Sequence, residues 1–133
     1  MQPRVLVADD DDAMRTTIAF TLDDVGVETV EARSGVEVLR LLDGPEAETG
    51  RLHAAASFDL IIMDIRMPGL SGLDTVRKLR DQRCSTPVIL MTAFAAPETE
   101  EAAQRLHVAL LSKPFALADL TALTLRTLAR RPT

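Results

Sequence analysis

Cysteine occurs once in this sequence, at Cys84, so no internal disulfide can form and the chain suits a reducing cytoplasm. A lone thiol of this kind reads as an inert residue of a loop or helix end. Long apolar runs are also missing: Met1-Gln2-Pro3-Arg4 is followed by too few apolar residues for a signal peptide, and no run approaches membrane-spanning length. A soluble, cytoplasmic protein is expected. Basic charge is scarce: 15 Lys and Arg stand against 20 Asp and Glu, a formal net charge of −5, which argues against nucleic acid or an anionic membrane as a direct partner. The basic cluster Arg126, Arg130 and Arg131 suits a helix C-terminus. No repeat, low-complexity tract or second domain breaks the 133 residues, so one domain spanning 1–133 is expected. Such a domain buries roughly two-thirds of its unfolded surface, and 47% apolar residues supply the core.

What is present is an alternation of short apolar runs with helical patterns, the signature of successive βαβ units. A first strand is predicted over about Arg4 to Ala8. From Asp12, apolar Met14, Ile18, Leu22 and Val25 recur at helical spacing until Gly26 stops the helix. Val27 to Ala32 reads as strand two. Ser34 and Glu37 form a capping box for a helix carrying Val38, Leu39, Leu41 and Leu42, which Gly44 and Pro45 end. The stretch from about 43 to 57 has no strong period and reads as a surface extension of helix two plus loop. Phe58 to Asp64 is strand three, apolar on successive residues as a strand covered on both faces would be. After the turn Met67 to Gly72, Ser71 caps a helix through about Asp81, and Pro87 to Thr92 is strand four. Pro97 opens a fourth helix whose face is small and acidic, so it should be loosely held. Val108 to Ser112 is a weak fifth strand, and Leu117, Leu120, Leu123, Leu125 and Leu128 mark a last helix.

Asp9-Asp10, Asp64, Thr92 and Lys113 each stand where one of these strands would end. If the strands are parallel, three carboxylates, a hydroxyl and an ammonium converge at the carboxyl edge of the sheet, where open α/β sheets bind ligands. That set suits Mg²⁺ and a phosphoryl group. The carboxylates should titrate as a coupled set with at least one raised pKa. Asp11 and Asp12 fit a helix cap better than a site, and His53 and His107 read as surface residues.

Ala8-Asp9-Asp10-Asp11, the segment Met63-Asp64-Ile65-Arg66-Met67-Pro68-Gly69-Leu70-Ser71-Gly72, Met91-Thr92-Ala93 and Lys113-Pro114-Phe115 together resemble the receiver domain of two-component response regulators. The resemblance covers essentially the whole chain, and Asp-x-x-Met-Pro-x-x-x-Gly is its most specific piece. It implies a flavodoxin-like (βα)5 three-layer α/β sandwich with a five-stranded parallel sheet in the order 2-1-3-4-5. By resemblance, Asp64 is the phosphoacceptor, supplied by a histidine kinase or histidine phosphotransfer protein. Mg²⁺, with Mn²⁺ as a substitute, takes oxygen ligands from Asp10, Asp64 and the backbone carbonyl of Arg66, with Asp9 acting through a water. Lys113 pairs with the phosphoryl oxygens, Thr92 donates a hydrogen bond to them, and small Ala93 leaves room for the donor. The Lys113-Pro114 bond is expected to be cis, and Arg66 and Phe94 occupy positions that tune phosphoryl lifetime. The resemblance also allows a homodimer through the helix-four, strand-five, helix-five face. It implies no enzyme beyond the domain's own phosphorylation and dephosphorylation, and no output domain is expected within 1–133. Phe20 lies on a face that family members use to dock the kinase, although covering the last helix is its plainer role.

Three departures accompany the match. Leu110 stands where the family usually has a switching Tyr or Phe. The stretch from Thr92 to Lys113 lacks the usual Gly-Ala before strand five and is about one residue short, so helix four and its exit should be remodelled. Third is the segment from Gly44 to Ser57. Two alternatives follow: a receiver-like module that binds partners without switching, or a haloacid-dehalogenase-type phosphohydrolase using Asp9, Asp11, Thr92 and Lys113.

Overall fold

The computed structural model describes residues 2–43 and 58–130. Its elements run β1 (Arg4–Ala8), α1 (Asp12–Asp23), β2 (Glu28–Ala32), α2 (Gly35–Asp43), β3 (Leu60–Asp64), α3 (Gly72–Asp81), β4 (Val88–Thr92), α4 (Pro97–Leu106), β5 (Ala109–Ser112) and α5 (Leu117–Ala129). Every predicted element forms, with ends shifted by one or two residues. The extension expected over about 43–57 lies, from residue 44 onward, outside the described residues, as do His53 and Arg131.

All pairings are parallel, in the order β2-β1-β3-β4-β5. Alternate residues of the central strands feed two cores, as strand geometry requires. Val5, Val7, Leu60, Ile62, Ile89 and Met91 face Ile18 and Leu22 of α1 and Leu120 of α5. Leu6, Ala8, Ile61, Met63, Val88 and Leu90 face Val38 of α2 and Val76 and Leu79 of α3, with Leu106 of α4 at the margin. Helices therefore cover both faces, and the fold is the flavodoxin-like three-layer sandwich. Each large side chain removed from water here contributes about 1.5–3 kcal/mol before entropic costs.

The buried stripe of α1 is Arg15, Ile18, Ala19 and Leu22, with Met14 packed half-buried against the same core as expected. Val25 falls beyond the helix end, where it is exposed, and Gly26 makes the turn at φ +86°. Phe20 is 75% exposed, so it does not cover α5. Asp11 caps α1 by accepting from the Ala13 and Met14 N–H groups, and Ser71 caps α3 by accepting from Asp74 N–H. Glu37 N–H donates to the Ser34 hydroxyl at 3.1 Å, the forward half of the expected capping box.

Helix α4 is held differently. It buries only Ala102 and Ala103, and its N-cap Ala96 makes no side-chain bond. Its C-terminal end is gripped by Arg80 of α3, whose guanidinium donates to the carbonyls of Leu106, Cys84 and Thr86 at 2.9–3.0 Å. The exit turns on His107 in the left-handed region, φ 58°, and Arg83 makes a similar turn after α3 at φ 63°. Cys84 is buried at that second turn beside Thr86.

Gly72 has a steric duty. A Cβ there would lie 2.5 Å from the Asp64 carbonyl oxygen and 3.0 Å from Ile65 Cα, while Gly72 N–H donates to the Ile65 carbonyl at 2.8 Å. Gly72→Ala is expected to destabilise the protein by about 1–3 kcal/mol, read from its urea midpoint at unchanged slope, because the end of β3 has to move.

Candidate functional site

Strand β1 ends at Ala8, so Asp9 and Asp10 emerge at the carboxyl edge of the sheet. Asp9 is wholly buried, with its N–H donating to the Ala32 carbonyl at 3.1 Å, while Asp10 is exposed. Asp64 closes β3, opposite Met91, which puts Thr92 one step further along the neighbouring strand. Asp9, Asp10 and Asp64 each offer a carboxylate oxygen within 4.8 Å of the others. Asp11 and Asp12, by contrast, are turned away, the first into the α1 cap and the second onto Arg15 at 2.6 Å.

Lys113, one residue past β5, reaches across this cluster. Its ammonium donates to Asp64 Oδ2 at 2.9 Å and lies 3.6 Å from Asp9 Oδ2. Burial alone would lower the Lys113 pKa, but the bond and charge of Asp64 and the charge of Asp9 outweigh it, and the pKa is raised. The Lys113-Pro114 bond is cis, as expected.

Asp9 carries the cost of the arrangement. Its Oδ1 accepts from Asp11 N–H at 2.9 Å, but its Oδ2 is buried without a hydrogen-bond donor, 3.6 Å being too long from an ammonium. Burial, opposed by the Asp11 hydrogen bond and seconded by the Asp64 charge, raises its pKa. One ammonium serves a cluster of three carboxylates, and a buried oxygen lacks a hydrogen-bond donor. A hard cation with oxygen ligands fits that donor set.

Asp64 Oδ1 accepts from Arg66 N–H at 3.2 Å, and the Arg66 side chain is exposed. The Thr92 hydroxyl is turned onto its own loop: it donates to the Phe94 carbonyl at 2.9 Å and accepts from Phe94 N–H at 3.0 Å. Ala93 is exposed beside it, and the Phe94 ring is 74% exposed. Leu110, paired in register with Leu90, is half-buried against the core beneath α2, α3 and α4. His107 is exposed and forms the C-cap of α4.

Sequence reasoning missed Arg15, whose buried guanidinium donates to the Asp9 carbonyl, Asp12 and Glu31. The signal was there: Arg15 opens the 15, 18, 19, 22 stripe at helical spacing and so had to face inward.

The family model described as "Response regulator receiver domain" matches residues 5–124. The chain belongs to the response regulator receiver family. Among curated relatives, the receiver is 34% identical over 126 residues to the regulatory protein AtoC of Escherichia coli, covering 94% of this chain and 25% of that protein. It is 34% identical over 119 residues to the transcriptional regulatory protein PdtaR of Mycobacterium tuberculosis, covering 88% of this chain and 52% of that one. The chain thus spans a quarter to a half of the length of these relatives. The structure of the Francisella response regulator 1452 receiver domain matches at a TM-score of 0.80 with 29% identity, covering 97% of this chain and 98% of that one. The phosphohydrolase alternative needed Asp11 beside Asp9, and in this receiver Asp11 is committed to the α1 cap. Among the described residues no helix is long and apolar enough to cross a membrane.

Proposed function

We propose that this receiver is the phosphoacceptor of a two-component or phosphorelay system, taking a phosphoryl group from a histidine kinase or histidine phosphotransfer protein onto Asp64. The observation that carries the reading is the Asp64 carboxylate paired with Lys113 at 2.9 Å beside a buried oxygen of Asp9 that has no hydrogen-bond donor. Asp9, Asp10, Asp64 and the Arg66 carbonyl are the groups to hold Mg²⁺, or Mn²⁺ in its place. When bound, the ion supplies positive charge against the phosphoryl oxygens.

An oxygen of Asp64 attacks phosphorus, the P–N bond of the phosphohistidine breaks, and the electron pair returns to the imidazole as the acyl phosphate forms. Lys113 moves its hydrogen bond from Asp64 to a phosphoryl oxygen. The Thr92 hydroxyl can donate to that group only by releasing the Phe94 carbonyl, which loosens the loop leading into α4. New phosphoryl contacts would in this way shift the population of the α4-β5-α5 face, the surface proposed to exchange partners or pair with a second copy. Arg66 and Phe94, both exposed at the rim, are proposed to tune phosphoryl lifetime. Leu110 fills its site by packing, so output here would rest on α4 movement rather than an aromatic swing.

Intact mass after incubation with acetyl phosphate tests the proposal. The expected result is a base-labile gain of one phosphoryl group with Mg²⁺ and none with chelator. No gain under conditions where Mg²⁺ binds would instead favour a receiver-like module that holds its partner constitutively.

A further inference from the structure

We propose that Arg15 is a positioning residue for the cation of the acidic cleft, acting through the Asp9 carbonyl to fix the direction in which Asp10 leaves the sheet. The inference rests on reading the cleft as a Mg²⁺ site. Arg15 is 5% exposed, and its guanidinium makes three hydrogen bonds: to the Asp9 carbonyl at 2.9 Å, to Asp12 at 2.6 Å and to Glu31 of β2 at 3.0 Å. A charge so far from water costs several kcal/mol unless it is fully paired, so stability alone would favour an apolar residue on this stripe. What an apolar residue lacks is a donor for the carbonyl of Asp9.

That carbonyl belongs to the peptide between Asp9 and Asp10, one residue beyond the last strand position of β1. The Asp9 N–H is still held by the Ala32 carbonyl, and Arg15 supplies the grip on the other side. The Asp10 side chain, by contrast, is exposed, so the backbone is what sets the direction in which its Cα–Cβ bond leaves the sheet. A change in the backbone angles at Asp10 would swing its carboxylate away from Asp9 and Asp64, with which it now clusters within 4.8 Å. Asp12 and Glu31 hold the guanidinium from two sides, one on α1 and one on β2, and thereby fix its third bond. Lysine, a point charge with a single nitrogen, cannot reproduce the three-nitrogen fork that reaches these acceptors.

Two physical effects of removing Arg15 have opposite signs. Deleting a positive charge near the cleft strengthens Mg²⁺ attraction by Coulomb's law, whereas freeing the Asp9-Asp10 peptide weakens it. Calorimetric Mg²⁺ titration of the natural chain, Arg15→Met and Arg15→Lys, each at a temperature where circular dichroism reports a folded protein, separates them. Binding about 10–100-fold weaker is expected in both variants, the range typical for loss of an outer partner to metal ligands. Phosphoryl uptake should return toward the natural level at saturating Mg²⁺. Unchanged or tighter binding in either folded variant overturns the inference. A measurement on the natural chain covers the case of variants that fail to fold. Coupling is reciprocal, so Mg²⁺ saturation should slow hydrogen exchange of the Arg15 Nη1–H that donates to the Asp9 carbonyl, and unaltered exchange with Mg²⁺ bound overturns the inference as well. Failure of the natural chain itself to bind Mg²⁺ removes the underlying reading, an outcome distinct from failure of the variants alone.

Discussion

Asp64→Asn is expected to take up no phosphoryl group from acetyl phosphate, a loss of at least about 100-fold if the proposed covalent nucleophile is removed. The substitution keeps the shape of the side chain, and its amide oxygen can still accept from Arg66 N–H, so the fold should persist. What disappears is the carboxylate proposed to attack phosphorus, which is also the 2.9 Å partner of Lys113. Amide exchange makes the readout more than a mass. In the natural protein, phosphorylation should alter protection over residues 93 to 118, where the Thr92 loop, α4 and β5 lie, and in Asp64→Asn the same treatment should alter nothing. Phosphoryl uptake persisting in Asp64→Asn would shift the acceptor to Asp9 or Asp10 and sink the assignment.

Asp9→Asn should separate stability from function, raising the thermal midpoint of the metal-free protein while abolishing its response to Mg²⁺. Burial, only partly offset by the Asp11 hydrogen bond, raises the Asp9 pKa, so the folded state holds this proton more tightly than the unfolded chain does. The stabilising contribution of that proton is complete below the ordinary aspartate value and is lost as pH rises through the folded one. At neutral pH ionised Asp9 is therefore a net cost, and asparagine removes it. The midpoint should rise by about 2–8 °C for each kcal/mol relieved. The difference between the two proteins should shrink as pH falls through the acid range. In the natural protein, Mg²⁺ at 100 times its Kd adds about 2.7 kcal/mol, a gain the variant should lack. Scanning calorimetry with and without Mg²⁺ at two pH values checks both halves. A lower midpoint for metal-free Asp9→Asn would mean that pairing with Lys113 at 3.6 Å outweighs burial.

The sheet was readable because its strands are apolar on successive residues and each is closed by a polar one. Leu60-Ile61-Ile62-Met63 followed by Asp64 gives both a doubly covered strand and the position of its edge. The same feature made Asp9, Asp10, Asp64 and Lys113 legible as a group, since parallel topology brings strand ends together. Less accessible was anything that depends on side-chain direction over long sequence separations. Arg80 looks like a solvated helix residue until Leu106, 26 positions on, is known to lie against it. Thr92 was expected to face the phosphoryl position, and nothing local in sequence says that its hydroxyl would be occupied by Phe94. Helix ends at Arg83 and His107 adopt left-handed conformations without glycine, so the usual punctuation was missing there. Phe20 was misjudged because apolar character alone does not tell a covered residue from an exposed one.

Arg80 makes α4 a lever with its fulcrum at one end. The guanidinium ties the Leu106 carbonyl to the turn at Cys84 and Thr86, whereas the opposite end begins at Ala96 with no side-chain cap. Ten residues at 1.5 Å each give an arm of about 15 Å, so a rotation of about 10° around the fulcrum carries the free end through about 2–3 Å. That free end is the one joined to Thr92 and Phe94. Under the proposed mechanism, a rearrangement no larger than the Thr92 hydroxyl changing partners would be applied at the tip of that arm and would be expressed along the outer surface of the helix.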